Sequence, residues 1–149
     1  MILQYPKAIC SLIINNENLV LAVSRKDDHS IFGLPGGKVD QEDDSLEKAA
    51  MRELAEETGV QANGGIPVFT SICYGLDEKH YLTTTFMWDK LWSLPKQIEG
   101  EGIVAWVSPD VICENSFGKY RNFAIFNRNL LKSLNIHGIK SEKIIRIVE

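Results

Sequence analysis

One segment, Asp44–Thr58, constrains the fold of this chain more than any other. Asp44 can cap the start of a helix, Glu47 can complete a capping box with it, and Gly59 suits the left-handed position that ends many helices. Apolar side chains lie around much of the circumference of this helix, at Leu46, Ala49, Ala50, Met51 and Leu54. Such a helix is expected to pack between layers of structure rather than on a surface.

Apolar runs rich in strand-forming residues flank this helix on both sides. They are Ile9–Ile14, Leu19–Val23, Ile66–Tyr74, Tyr81–Leu91, Ile103–Val107 and Ile144–Val148. The polar break Asn15–Asn18 predicts a hairpin between the first two runs, and Asp77–Lys79 predicts a turn between the next two. The glycine-rich stretch Gly33–Gly37 is expected to be irregular. Two later helices are predicted, one starting at Ser108–Asp110 and one over residues 117–134. Because several breaks are too short for parallel crossovers, we expect an α+β or α/β fold with a mixed sheet.

The composition is that of an ordinary soluble protein, with 44% hydrophobic and 24% charged residues, and 149 residues fit one domain over residues 1–149. A formal net charge of −4 argues against polymeric nucleic acid as a partner. No stretch approaches the length of a membrane span and the first residues do not have the pattern of a signal peptide, so a cytoplasmic protein, monomer or homodimer, is expected. The three scattered cysteines are expected to be buried free thiols.

Three acidic residues share one face of the predicted helix. Glu53, Glu56 and Glu57 fall within roughly a 100° arc, because residues three and four apart lie on the same side of a helix. Carboxylates this close repel one another, and a hard cation such as Mg²⁺ between them would remove the repulsion. A solvated acidic face, with Arg52 paired to Glu56, is the alternative. The glycine-rich turn just before the helix favours the metal site, since its backbone can approach a ligand closely.

Gly36-Gly37, together with the run Arg52-Glu53-Leu54-Ala55-Glu56-Glu57-Thr58-Gly59-Val60, resembles the Nudix box, the signature of hydrolases that act on nucleoside diphosphates linked to another group. The second half of the box matches at every position. The resemblance continues in Gly33–Val39 and in Ile103–Ser108, and covers roughly residues 5–135.

The first half of the box departs from the family pattern. The acid with seven residues between it and Arg52 is Asp44 rather than Glu, and six residues rather than five separate it from Gly37. Pairing Gly36 with Glu42 restores the first spacing but leaves nine residues before Arg52. We prefer Asp44, because a loop tolerates an insertion easily whereas a helix fixes the distance. In the family this acid is mainly a structural partner of the arginine.

The resemblance implies the Nudix α/β/α sandwich around a mixed sheet, in a compact MutT-like member. It implies that Mg²⁺, with Mn²⁺ as a substitute, is held by the backbone carbonyl of Gly37 and by the helix acids Glu53, Glu56 and Glu57. Arg52 would orient Glu53, which is the candidate general base.

Family members often add a metal ligand from a late loop. Glu101 is the candidate here and Glu99 the second choice, and for each the alternative is a solvated loop acid.

Substrate contacts are predicted at four positions. Arg25, at the end of the second predicted strand, could meet a phosphate, and Lys38 follows the glycine pair. Phe32 could stack on a base. Asn127 could read a purine edge through paired hydrogen bonds, with Asn122 as its competitor. The simpler alternatives are a surface arginine, a core phenylalanine and an exposed asparagine.

The short chain, with no large N-terminal extension, favours a nucleoside triphosphate or an oxidised one as substrate, cut to a monophosphate and pyrophosphate. ADP-ribose, an ADP-sugar or a dinucleoside polyphosphate is the alternative. Two other classes remain open: a Nudix-fold nucleotide-binding regulator without chemistry, and an unrelated domain that binds Mg²⁺ or Ca²⁺ for structure alone.

Overall fold

The computed structural model describes residues 4–114, 118–137 and 142–149. In these ranges two four-stranded sheets pack with two α-helices. The strands are β1 (Lys7–Ser11), β2 (Val20–Ser24), β3 (Phe32–Gly33), β4 (Gly36–Lys38), β5 (Ala62–Tyr74), β6 (His80–Leu91), β7 (Val104–Val107) and β8 (Ile145–Ile147). The helices are α1 (Leu46–Thr58) and α2 (Arg121–Ser133), and Pro109–Cys113 forms a 3₁₀ helix.

The first sheet has the strand order β4-β1-β6-β5, and the second has the order β3-β2-β7-β8. In the first sheet β1 runs parallel to β6 and antiparallel to β4, so the sheet is mixed, as predicted. Strands β5 and β6 form a long antiparallel hairpin around the predicted turn at Asp77–Lys79.

Helix α1 packs against both sheets. Its Ala49 and Ala50 join a core cluster with Ile9 of β1. On the other side, Leu54 packs with Leu21 of the second sheet. The prediction that this helix lies between layers, inferred from apolar residues around its circumference, is confirmed.

The predicted hairpin over residues 9–23 is wrong in part. Its turn forms, because Asn15 N–H donates to the Leu19 carbonyl at 2.9 Å and Leu21 N–H donates to the Ile13 carbonyl at 2.9 Å. The two strands then diverge into different sheets. Both runs are buried on both faces, so their apolar pattern did not specify which sheet each would join.

The stretch Gly33–Gly37, predicted to be irregular, contributes the short strands β3 and β4. At Gly36 an added Cβ would lie 2.2 Å from the carbonyl oxygen of Ile9. Glycine therefore allows β4 to approach β1 closely, and its presence here reflects a close contact rather than a turn.

Helix α1 begins one residue later than predicted, and its N-cap is Ser45 rather than Asp44. The hydroxyl of Ser45 accepts a hydrogen bond from Lys48 N–H at 3.0 Å. Glu47 makes no capping box and instead accepts from Gly65 N–H at 2.6 Å. Both Asp and Ser are strong N-caps, so the sequence did not separate them. The C-cap at Gly59 is confirmed, with φ of 75°.

The helices predicted after residue 107 form, but each covers fewer residues than predicted. Pro109 opens a 3₁₀ helix rather than an α-helix, and α2 starts at Arg121, while Phe117 of the predicted helix lies outside the described residues. The C-terminal run contains β8. The three cysteines are free, as expected; Cys10 and Cys73 are buried, whereas Cys113 is half-buried. None of the helices in the described ranges has the length and apolar character needed to cross a bilayer.

Candidate active site

The acidic face of α1 meets the glycine pair of β4. An added Cβ at Gly37 would lie 2.8 Å from Oε1 of Glu53, so glycine leaves the space that this carboxylate occupies. Gly36 N–H donates to Oε2 of Glu57 at 3.0 Å. The structure therefore brings together the two parts of the motif that are separated in the sequence.

Burial makes these carboxylates hard to ionise. Burial, together with the charge of Glu53, raises the pKa of Glu57 to about 8, even though the N–H of Gly36 lowers it. Burial also raises the pKa of Glu53 despite its contact with Arg52. The carboxyl groups of Glu53 and Glu57 are within hydrogen-bonding reach of each other. Two acids held this close repel one another when both are charged, and a cation would relieve that repulsion.

Arg52 connects the helix to the loop that precedes it. Its Nε and Nη2 donate to the two carboxylate oxygens of Asp43 at 3.0 and 2.9 Å. Its Nη1 donates to Glu53 at 3.1 Å and lies 3.3 Å from Glu56. The guanidinium thus holds Glu53 from one side while Asp43 holds the guanidinium.

Among residues 4–114, 118–137 and 142–149, no three His, Cys, Asp or Glu side chains already stand close enough to hold a metal ion. Glu53 and Glu56 point to Arg52, and Glu57 points to a backbone N–H. The donors nevertheless fit a hard cation, because they are all oxygens and because the half-buried carboxylates of Glu53 and Glu57 repel each other. Small rotations of these carboxylates would be needed to bind the ion.

Glu101 lies in the loop before β7 and close enough to Glu57 to raise the pKa of that residue. Its carboxylate pairs with Lys26 Nζ at 3.1 Å. Glu99, the second choice from the sequence, is exposed. The charge of Glu101 therefore acts on the acidic cluster.

A cavity of about 390 Å³ opens beside the glycine pair. Its wall includes Gly36 and Gly37, the turn between β5 and β6, and the face of α2 that carries Phe123 and Phe126. Three of the four predicted substrate residues line it: Arg25, Lys38 and Asn127. The cavity is therefore an apolar chamber with a few polar groups, next to the acidic cluster.

Arg25 is half-buried in the cavity wall rather than on the open surface. Its guanidinium carbon lies 4.7 Å from the ring centroids of both Tyr120 and Phe123. Its Nε is buried and has no hydrogen-bond partner in the part of the chain that the structure describes. Burial lowers the pKa of this arginine, and the hydroxyl of Tyr120 is held in turn by Asp27 at 2.5 Å.

Asn127 is buried, and its Nδ2 donates to the carbonyl of Ile112 at 2.9 Å, which fixes the orientation of the amide. Asn122 does not line the cavity. Phe32 does not line it either, and packs in the core with Leu12 and Val20. The prediction that Phe32 stacks on a base is therefore replaced by its alternative, a phenylalanine of the core, because strand β3 turns the ring inward.

The family model for the NUDIX domain matches residues 4–134. The chain belongs to the NUDIX domain family.

Several proteins are similar to this Nudix chain. A Bacillus subtilis (strain 168) protein named "Putative 8-oxo-dGTP diphosphatase" is 41% identical over 58 residues, which are 39% of this chain and 38% of that protein, so the match spans well under half of the relative. The structure of a MutT NUDIX hydrolase from Burkholderia pseudomallei has a TM-score of 0.68 at 20% identity, covering 89% of this chain and 99% of that one. The MutT protein from Methanosarcina mazei Go1 has a TM-score of 0.67 at 24% identity, covering 87% and 95%.

A third neighbour is the NUDIX domain of Shewanella oneidensis NrtR, solved with ADP ribose. Its TM-score is 0.56 at 24% identity, and the match covers 70% of this chain and 73% of that one. These likenesses confirm the Nudix fold expected from the sequence.

The structure shows that the first half of the Nudix box was aligned wrongly from the sequence. The loop acids that pair with Arg52 are Asp43, through two hydrogen bonds, and Asp40, at 3.3 Å, whereas Asp44 was predicted. Five residues separate Gly37 from Asp43, as in the family pattern, and eight separate Asp43 from Arg52. The prediction assumed that the helix reached Asp44, but α1 starts at Leu46, so the distance from either acid to Arg52 was not fixed by helical geometry.

Several residues at this Nudix site were missed from the sequence. Asp27 and Tyr120 support Arg25, and Asp77 and Tyr81 support Lys38. Asp77 was assigned only to a turn. No spacing in the sequence linked these pairs, since each joins distant parts of the chain or a turn to a strand.

Proposed function

We propose that this Nudix protein hydrolyses a diphosphate linkage in a nucleotide, with a (d)NTP or an oxidised (d)NTP as substrate and with a monophosphate and pyrophosphate as products. The observation that carries the proposal is the packing of Glu53 and Glu57 against Gly36 and Gly37 at the edge of the cavity. It supports a site in which a phosphate chain reaches the acidic cluster while the nucleoside occupies the apolar chamber.

The acidic cluster is the proposed site of Mg²⁺, with Mn²⁺ as a substitute. The groups that would hold it are the carboxylates of Glu53, Glu56, Glu57 and Glu101 and the carbonyl of Gly37. When bound, the ion supplies Lewis-acid chemistry, lowering the pKa of water and neutralising phosphate charge. Glu53 is the proposed general base, because Arg52 holds its carboxylate at 3.1 Å within the acidic cluster.

Arg52 keeps Glu53 in place. Its contacts with Asp43 on one side and Glu53 on the other limit the rotation of the carboxylate that must receive the proton. Arg52 is thus proposed to act on the reaction by positioning rather than by contact with the substrate.

The cavity wall is proposed to bind the rest of the substrate. Arg25 and Lys38 carry the positive charges that a phosphate chain requires. The amide of Asn127, oriented by the Ile112 carbonyl, would offer its oxygen to an N–H on the edge of a base. The Bacillus subtilis relative, by its name, supports an oxidised purine triphosphate as the substrate class.

ADP-ribose or a related ADP-sugar is the second candidate. The NUDIX domain of Shewanella oneidensis NrtR binds ADP ribose on the same fold. The apolar cavity would then hold the adenine.

A panel of nucleotides assayed with Mg²⁺ tests the proposal. The panel contains dGTP, 8-oxo-dGTP, ADP-ribose and a dinucleoside tetraphosphate, and the products are identified by chromatography. Pyrophosphate and a monophosphate from a triphosphate are expected. AMP and ribose phosphate would favour the second candidate, and no product from any compound would favour a nucleotide-binding regulator.

Variants of the acidic cluster separate chemistry from folding. Glu57→Gln and Glu56→Gln are each expected to lower kcat by at least about a hundred-fold, because each removes a charged ligand, while circular dichroism stays that of the wild type. Activity near the wild type in either variant would contradict the assignment of the site.

A further inference from the structure

The turn between β5 and β6 forms one wall of the cavity and carries an acid that the proposed chemistry does not use. Gly75, Leu76 and Asp77 of this turn line the cavity. The carboxylate of Asp77 accepts hydrogen bonds from the hydroxyl of Tyr81, from Lys38 Nζ at 3.0 Å and from Lys79 N–H at 3.2 Å. The hydroxyl of Tyr81, above all, holds the pKa of Asp77 at about 2, so Asp77 is charged at neutral pH.

Lys38 stands between this turn and the acidic cluster. It follows Gly37, the residue whose added Cβ would meet the carboxylate of Glu53 at 2.8 Å. The ammonium of Lys38 lies 5.5 Å from the ring centroid of Tyr81, in addition to its ion pair with Asp77. Strand β4 thus fixes the backbone of Lys38, and Asp77 with Tyr81 fixes the end of its side chain.

A lysine side chain that is 64% exposed would otherwise sample many rotamers. Holding it in one place costs conformational entropy, and this cost falls on substrate binding unless the free protein has already met it. An isolated surface ion pair contributes little to stability. The Asp77 carboxylate differs from such a pair because it has three donors and lies in the cavity wall.

We propose that Asp77 is a positioning residue, which together with Tyr81 holds the Lys38 ammonium at the mouth of the cavity where it meets the phosphate chain of the substrate. This inference rests on the proposed function. On arrival of the phosphate, the ammonium exchanges part of its contact with Asp77 for a contact with the substrate.

The test compares Asp77→Asn with Glu78→Gln, which removes the same charge from the neighbouring position of the same turn. For Asp77→Asn, KM for the best substrate of the panel is expected to rise about three- to ten-fold while kcat stays within about two-fold, because the contact affects binding and not the reacting atoms. Glu78→Gln is expected to keep the KM of the wild type. The Kd of a non-hydrolysable α,β-methylene analogue of dGTP, measured by calorimetry, should rise with KM.

Lys38→Met provides a second variant that leaves the turn unchanged. Its KM is expected to rise at least as much as that of Asp77→Asn, and the double variant should match Lys38→Met alone, because the two residues act as a unit. Lys38→Arg should restore part of the loss. Additive effects, or a KM and Kd in Asp77→Asn equal to those of the wild type, would overturn the inference while leaving the proposed function intact.

If the wild type neither hydrolyses any compound of the panel nor binds the analogue, both the proposed function and this inference fail. If it binds the analogue without hydrolysis, only the chemistry fails, and the Kd values still decide the role of Asp77.

Discussion

Asp43 is the residue that links the loop to the helix at this site. Two of the guanidinium nitrogens of Arg52 donate to it, and its side chain is 7% exposed. Contact with Arg52, above all, lowers the pKa of Asp43, so the pair stays charged across the neutral range. The neighbouring Asp44 makes no contact of this kind in the described residues.

Asp43→Asn is expected to lower kcat/KM roughly ten-fold or more, because Arg52 loses one of the anchors through which it orients Glu53. The melting temperature should also fall. Asp44→Asn is the matched control and should stay within about two-fold of the wild type. Steady-state kinetics on both variants give the answer, and a larger loss in Asp44→Asn would show that the box was correctly aligned from the sequence.

The three cysteine thiols are hard to ionise in the folded protein. Burial raises the pKa of Cys10 to about 12 and that of Cys73 and Cys113 to about 11. Only the thiolate attacks a disulfide reagent, so the native protein at pH 8 is expected to react at least about a hundred-fold more slowly than the protein unfolded in guanidinium. The rate should rise with pH up to these raised values.

The raised pKa values of the thiols also make the stability of the folded protein depend on pH. The folded state keeps the thiol proton more tightly than the unfolded chain, so this contribution is present below about pH 9 and is lost as the pH rises through the raised values. A titration with a chromogenic thiol reagent checks the reactivity. Fast reaction of Cys10 and Cys73 in the native protein would contradict the burial of these two cysteines.

At the element scale, the short strand β4 depends on glycine. The methyl group of Gly36→Ala would lie 2.2 Å from the Ile9 carbonyl oxygen, a backbone atom that cannot move without separating β4 from β1. Overpacking of this kind is expected to lower the free energy of unfolding by about 1–3 kcal/mol. Chemical denaturation measures the change.

Gly33→Ala is the comparison for this prediction. The three atoms nearest its methyl group all belong to the Arg25 guanidinium, with Nη2 at 3.0 Å, and this group is the end of a side chain rather than backbone. A smaller loss of stability is expected, and equal losses in the two variants would show that the close approach of β4 to β1 is not the reason for glycine at position 36.

The positions of the helices and strands were predicted from the sequence better than the pairing of the strands in the sheets. Helix α1, the β5–β6 hairpin and β8 were placed close to their positions, because each has a local signal: a helical apolar pattern, a polar turn and a run of β-branched residues. The divergence of β1 and β2 depends on hydrogen bonds from β1 to β6, whose paired residues lie 75 positions later in the chain. No local pattern carries that information.

At the scale of the whole molecule, the acidic cluster connects α1 with the first sheet. In the metal-free protein the half-buried carboxylates of Glu53 and Glu57 repel each other, and a bound Mg²⁺ would join the two elements. At a concentration a hundred times its Kd, the ion is expected to stabilise the native state by about 2.7 kcal/mol.

Thermal unfolding with and without Mg²⁺ checks this prediction. The melting temperature of the wild type should rise on addition of Mg²⁺, and that of Glu57→Gln should rise little. Without Mg²⁺ the variant should be at least as stable as the wild type, since the amide can still accept from Gly36 N–H but carries no charge. An equal rise in both proteins would place the ion elsewhere.

The sequence by itself determined the Nudix family, the helix that carries the acids and the identity of those acids, because a helix turns a spacing of three and four residues into a shared face. Only the tertiary structure decided that Asp43 and not Asp44 holds Arg52, that Phe32 belongs to the core, and that Arg25, Lys38 and Asn127 line one cavity. These depend on where loops and sheets bring distant residues together, which local propensity does not encode.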